Sequence, residues 1–99
     1  MSRYSYHPSA EEELIEAACY YEERSDGLGQ RFLSEVQEHI KEIVEHPDMF
    51  PLFRGEVRRK SLDHFPYNLL YVIEASGLKI VAVMHQKRRP NYWISRLRD

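Results

Sequence analysis

One cysteine, four glycines and five prolines are all that 99 residues hold of the types that staple, hinge or stiffen a chain. With Cys19 alone, no intrachain disulfide can form, and nothing asks for an oxidising compartment. The glycines sit at breaks and turns rather than in a phosphate-cradling loop, and no G-x-S-x-G elbow occurs, which removes the nucleotide-binding and hydrolase readings. No apolar run approaches the ~20 residues that span a bilayer. The opening Met1-Ser2-Arg3-Tyr4-Ser5-Tyr6-His7 is too polar for a secretory leader, so the expectation is a cytoplasmic chain, neither exported nor membrane-inserted by its own sequence. His7, His39, His46 and His64 are scattered without ligand spacing or a companion cysteine pair. No metal site and no cofactor are expected.

What is present suffices for one modest core, since 42% of the residues are hydrophobic and 12% aromatic, and residues 1–99 are expected to form a single domain. The net charge of -2 conceals a division. Up to Phe53 there are four basic residues (Arg3, Arg24, Arg31, Lys41) against twelve acidic ones, a balance of -8. From Arg54 onward ten basic residues face four acidic ones, a balance of +6. A near-neutral protein therefore carries a basic region fit to meet a polyanion or an acidic protein segment.

Tyr4 to His7 reads as a short first strand, and Ser9 with Glu12 forms the S-x-x-E box that opens a helix. Leu14, Ala17, Ala18 and Tyr21 share one face while Glu12, Glu13, Glu16, Glu22 and Glu23 crowd the rest, predicting a helix from about Ser9 to Arg24. Glu11, Glu12 and Glu13 read as a solvated first turn favoured by the helix dipole. Ser25-Asp26-Gly27 breaks the pattern. Phe32, Leu33, Val36, Ile40, Ile43 and Val44 then predict a second helix from about Leu28 to His46, stopped by Pro47, and the short break makes the pair an antiparallel hairpin. Asp48 to Phe53 reads as an irregular apolar crossing.

Three β-like runs follow, Glu56 to Leu62, Tyr67 to Glu74 and Lys79 to His85, with connections short enough for an antiparallel meander. The second and third are apolar on both alternating sets and should be buried. The first carries Arg58, Arg59 and Lys60 in succession, so cations must lie on both of its faces. Pro90 to Asp99 is long enough for a helical turn or two packed by Trp93 and Leu97. The expected class is α+β: a short N-terminal strand, a two-helix hairpin, a three-stranded meander and a short C-terminal helix or turn.

The densest local chemistry is His85-Gln86-Lys87-Arg88-Arg89-Pro90-Asn91-Tyr92-Trp93, three cations and two aromatics behind a strand-end histidine. Such cations hold phosphates or carboxylates, and such aromatics stack bases or anchor side chains. The alternative is a soluble basic rim with Trp93 packed on the sheet and His85 capping a strand. Arg58, Arg59 and Lys60 make a second cluster, either joining the first in a basic groove or keeping a solvated edge from aggregating. For metal-free RNA cleavage, His85, Tyr92 and Arg88 nominally supply base, acid and phosphate-binding cation.

The order of these pieces resembles the RelE/ParE superfamily of toxins from bacterial type II toxin–antitoxin systems. The resemblance runs over nearly the whole chain and rests on Gly27-Leu28-Gly29 with Arg31-Phe32, Phe65-Pro66-Tyr67 before an apolar strand, and His85 with Arg88-Arg89-Pro90 and Tyr92-Trp93. It implies a plasmid- or chromosome-borne stabilisation toxin held by a cognate antitoxin in a hetero-oligomer. RelE-like members cut ribosome-bound messenger RNA, and ParE-like members inhibit DNA gyrase by binding it. The ribonuclease branch commonly places an arginine where this chain has Asn68 after Tyr67, and the long acidic hairpin looks more like ParE. The expectation is therefore a ParE-like gyrase inhibitor with Arg58, Arg59, Lys60, Arg88, Arg89, Tyr92 and Trp93 as its contact surface. The alternatives are a RelE-like nuclease and a non-toxic antitoxin-binding remnant.

Overall fold

The computed structural model describes residues 3–98; Met1, Ser2 and Asp99, the outermost residues of the two terminal stretches, lie outside the described residues. Five strands form one sheet in the order β1-β5-β4-β3-β2: β1 (Tyr4–Tyr6), β2 (Leu52–Arg54), β3 (Val57–Ser61), β4 (Tyr67–Glu74) and β5 (Gly77–His85). β1 runs parallel to β5, and the other neighbours are antiparallel. Helices α1 (Pro8–Arg24) and α2 (Leu28–Glu45) cover one face, and a 3-10 helix (Ile94–Arg98) lies at the C-terminus. The α+β class, the helical hairpin and the β3-β4-β5 meander match the sequence reading. Among the described residues no helix is long and apolar enough to cross a membrane.

Two expected details differ. The cap of α1 is His7, whose Nδ1 accepts the Ser9 N–H at 3.0 Å, so Ser9 is not the cap. Pro8 at the first helical position fixes φ for entry and lacks the N–H that a cap would satisfy, which moves the cap one residue ahead of it. The crossing segment is also not wholly irregular. Leu52–Arg54 pairs with β3 across the left-handed turn at Gly55 (φ 56), because the edge of β3 offers backbone groups that need partners.

Apolar packing occupies both faces of the sheet. On the helix side Phe32, Val36, Ile40 and Ile43 of α2 meet Leu69, Tyr71, Ile80 and Val83. Phe65 and Tyr67 flank the Pro66 turn and set their rings 5.1 and 5.2 Å from Phe32, so the Phe-Pro-Tyr motif closes this core. On the other side Trp93 is fully buried against Val57, Leu70, Val81, Ala82 and Met84. An aromatic of that size removes about 200 Å² from water, about 5 kcal/mol before ordering costs.

The Gly27-Leu28-Gly29 motif has a steric cause. Gly27 takes the left-handed conformation (φ 84) at the start of α2, and a side chain on Gly29 would be driven into the Ala18 carbonyl and the Glu22 stem. Glu22 reaches across from α1 and accepts the N–H groups of Gly27 (2.8 Å) and Gly29 (2.9 Å). The Gly27 bond foremost holds its carboxyl below the usual glutamate range.

Candidate functional site

β1 is short, pairing with β5 only from Leu78 to Ile80, so beyond that point the edge of β5 has no neighbouring strand among the described residues. An extra residue in β5 between Ile80 and Ala82, the partners of Tyr71 and Leu70, adds a bulge there. Side chains take over the freed backbone. Glu13 Oε1 accepts the Val83 N–H at 3.0 Å, and Arg96 Nη1 donates to the Val81 carbonyl at 3.1 Å. The same carboxylate receives both Arg96 Nη1 (3.0 Å) and Nη2 (2.9 Å) and the Tyr92 hydroxyl (2.7 Å). Glu13 therefore ties α1, β5 and the C-terminal segment together. It is not a solvated first-turn glutamate, because Ala10 and Ala17, three before it and four after, are buried and bring it onto the same face.

Two guanidiniums lie over the Tyr92 ring, Arg88 3.9 Å from its centre and Arg96 at 5.0 Å. Burial, then the bond to Glu13, pushes its hydroxyl far above the ordinary tyrosine range. His85 stands edge-on to Tyr67 at 5.0 Å, and its Nδ1 accepts the Lys87 N–H at 3.0 Å. That bond puts the proton of neutral His85 on Nε2 and leaves no free lone pair on the ring. His85 and Arg88 share a cleft of about 240 Å³ with Glu13, Glu16, Tyr20 and Tyr67. Asn68 is buried, and its Oδ1 accepts from Ser61 Oγ at 2.8 Å and Gln86 Nε2 at 3.4 Å.

The cations divide into two groups. Arg58 faces the helices and donates to the Phe50 carbonyl at 2.7 Å and the Asp48 carbonyl at 3.3 Å. Lys60, two residues on and so on the same face, lies 2.6 Å from His39 Nδ1 and 3.4 Å from Glu42. Arg59 points the other way, over the Phe53 ring at 5.4 Å. Arg54, Arg59, Lys87, Arg88 and Arg89 are exposed and take part in no ion pair among the described residues. Of the seven residues expected at the contact surface, Arg59, Arg88 and Arg89 are exposed, Tyr92 is half-buried, Arg58 and Lys60 are engaged internally, and Trp93 has no exposed surface. β4 separates β3 from β5, so the two basic clusters do not share a groove through strand pairing. Arg54 of β2 is bonded to the second segment, its Nη1 donating to Asn91 Oδ1 at 3.2 Å.

Two of the scattered histidines, His39 and His64, come together. His39 and His64 both reach Glu35, which accepts the Asp63 and His64 N–H groups as well, and Glu35, His39 and Asp63 offer ligand atoms within 4.8 Å of one another. These residues do not suit a metal ion. The Lys60 ammonium has no lone pair, so His39 Nδ1 must accept from it, leaving the proton on Nε2 toward Asp63 at 3.3 Å.

Residues 4–90 match the family model described as "ParE toxin of type II toxin-antitoxin system, parDE". No curated protein matches the chain. Among solved structures, the fold is shared with one described as "Chromosomal ParDE TA system from P. aeruginosa", with a TM-score of 0.71 and 13% identity over 86% of this chain and 96% of that one. With the helical hairpin, the glycine pair and the Phe-Pro-Tyr turn each accounted for by packing, and with a family match running from the first strand to Pro90, this chain belongs to the ParE toxin family of type II toxin–antitoxin systems.

Proposed function

We propose that the chain works in the cytoplasm as a single toxin domain of a stabilisation system, is neutralised by a cognate antitoxin in a hetero-oligomer, and inhibits DNA gyrase by binding. Family membership supports the antitoxin partner. The observation that carries the mechanism is a contrast within one segment. The Tyr92 hydroxyl and His85 Nδ1, which acid–base chemistry would need, are committed to Glu13 and to the Lys87 N–H, while Arg88 and Arg89 beside them are exposed and outside any ion pair among the described residues. Asn68, buried in its bonds to Ser61 and Gln86, supplies no cation for a phosphate. A surface of guanidiniums outside any ion pair suits recognition of an anionic partner, and the commitment of the Tyr92 hydroxyl and His85 Nδ1 counts against the nuclease alternative.

The test is expression from a tightly controlled promoter without antitoxin, followed by assays of the purified chain on gyrase supercoiling and on ribosome-bound message in parallel. Supercoiling inhibition with intact message is expected. Message cleavage alone would replace this reading with the RelE-like one. Normal growth with confirmed folded protein and no inhibition would favour an antitoxin-binding remnant.

A further inference from the structure

Five exposed cations without carboxylate partners are a cost in self-repulsion unless something anionic meets them, and here they gather around one turn. Arg54 is bonded to Asn91, and Arg59 lies over Phe53, whose ring is 6.3 Å from that of Trp93. Arg89 borders the hollow formed with Pro90, Asn91 and Tyr92, Arg88 stacks on Tyr92, and Lys87 precedes them both. We propose, resting on the gyrase reading, that Arg54, Arg59, Lys87, Arg88 and Arg89 hold the phosphate backbone of duplex DNA, so that the chain engages the DNA on which gyrase works.

Two observations favour a duplex. Unstacked bases of a single strand need open aromatic faces. Here Trp93 is fully buried, Arg88 and Arg96 both lie over the Tyr92 ring, and Phe53 is partly buried beneath Arg59. Second, the exposed glutamates Glu12, Glu23 and Glu38 lie on α1 and α2, and although Glu16 borders Arg88 in a shared cleft, the charge of the hairpin favours approach of a polyanion at the basic turn rather than at the helices. Four of the five cations are arginines, which grip phosphate oxygens bidentately.

The experiment is fluorescence anisotropy of the purified chain with a labelled mixed-sequence DNA duplex across a salt series, gyrase being absent. Three to five phosphate contacts predict a slope of about -3 to -4.5 in log K against log salt. Arg59→Ala with Arg89→Ala should flatten the slope by about 2 and weaken binding roughly 10-fold or more. Arg31→Ala with Lys41→Ala removes the same charge from α2 and should change affinity less than about twofold. Circular dichroism checks that each variant is folded. The proposal is overturned by no duplex binding at 50 mM salt, by equal weakening in both double variants, by a single strand binding as tightly as the duplex, or by poly-glutamate displacing the duplex at lower charge concentration. Duplex binding without supercoiling inhibition would strike the gyrase reading, whereas inhibition without duplex binding would strike this inference.

Discussion

Replacing Glu13 by alanine removes the one carboxylate that receives the Val83 N–H, the Tyr92 hydroxyl and both Arg96 nitrogens. The side chains of Glu13 and Arg96 are only 12% and 13% exposed, so the guanidinium left behind is largely cut off from water. Breaking a buried pair by deleting one member costs about 3–5 kcal/mol, and the Val81 carbonyl that Arg96 keeps argues for the lower end, about 3 kcal/mol. At about 2.1 cal/mol/K of unfolding entropy per residue, a chain of 99 residues loses about 15 °C in Tm. Trp93, the only tryptophan and fully buried, makes urea or thermal unfolding readable by fluorescence. A cycle of Glu13→Ala, Arg96→Ala and the double variant should give a coupling of at least about 1 kcal/mol. A Glu13→Ala variant within about 0.5 kcal/mol of the parent, or additive single effects, would refute the clamp.

Gly29→Ala should destabilise by about 1–3 kcal/mol in chemical denaturation, since a methyl there meets the Ala18 carbonyl, a backbone group that cannot yield as the Glu22 side chain can. Arg58→Ala should cost about 1–2 kcal/mol through its two carbonyl bonds, whereas Arg59→Ala should stay within about 0.5 kcal/mol; equal effects would undo the division of the cations. Burial raises the carboxyl of Glu35, but hydrogen bonds from the His64 side chain and the His64 and Asp63 N–H groups outweigh it and leave the pKa below its ordinary value of 4.5. Its contribution is thus present above that value and lost as pH falls through the depressed folded pKa. Glu35→Gln should be less stable than the parent at neutral pH, with the gap closing in acid; a gap independent of pH would contradict this.

Much of the architecture was legible because periodicity survives in the residues. Phe32, Val36, Ile40 and Ile43 announce α2, and the doubly apolar runs of β4 and β5 announce buried strands. β2 was not, since Leu52–Arg54 follows a proline, has three residues, and exists as a strand only through pairing with β3. The site was half legible. Alternation along β3 requires Arg58 and Lys60 to oppose Arg59, but which face meets α2 depends on tertiary packing. Glu13 and Glu35 look like their solvated neighbours in sequence. The available signal was their spacing: Glu13 lies between Ala10 and Ala17, and Glu35 between Phe32 and His39, on faces that turn inward.

The binding mechanism is tested most directly by titrating the purified chain into a gyrase supercoiling reaction beside an Arg88→Glu, Arg89→Glu variant of unchanged circular dichroism. Both residues are exposed and outside the core, so the fold should persist while the anionic contact is lost. The account predicts inhibition by the parent and at least about a tenfold loss in the variant. Equal inhibition by both, or a folded parent that leaves gyrase untouched and cleaves ribosome-bound message, would contradict it.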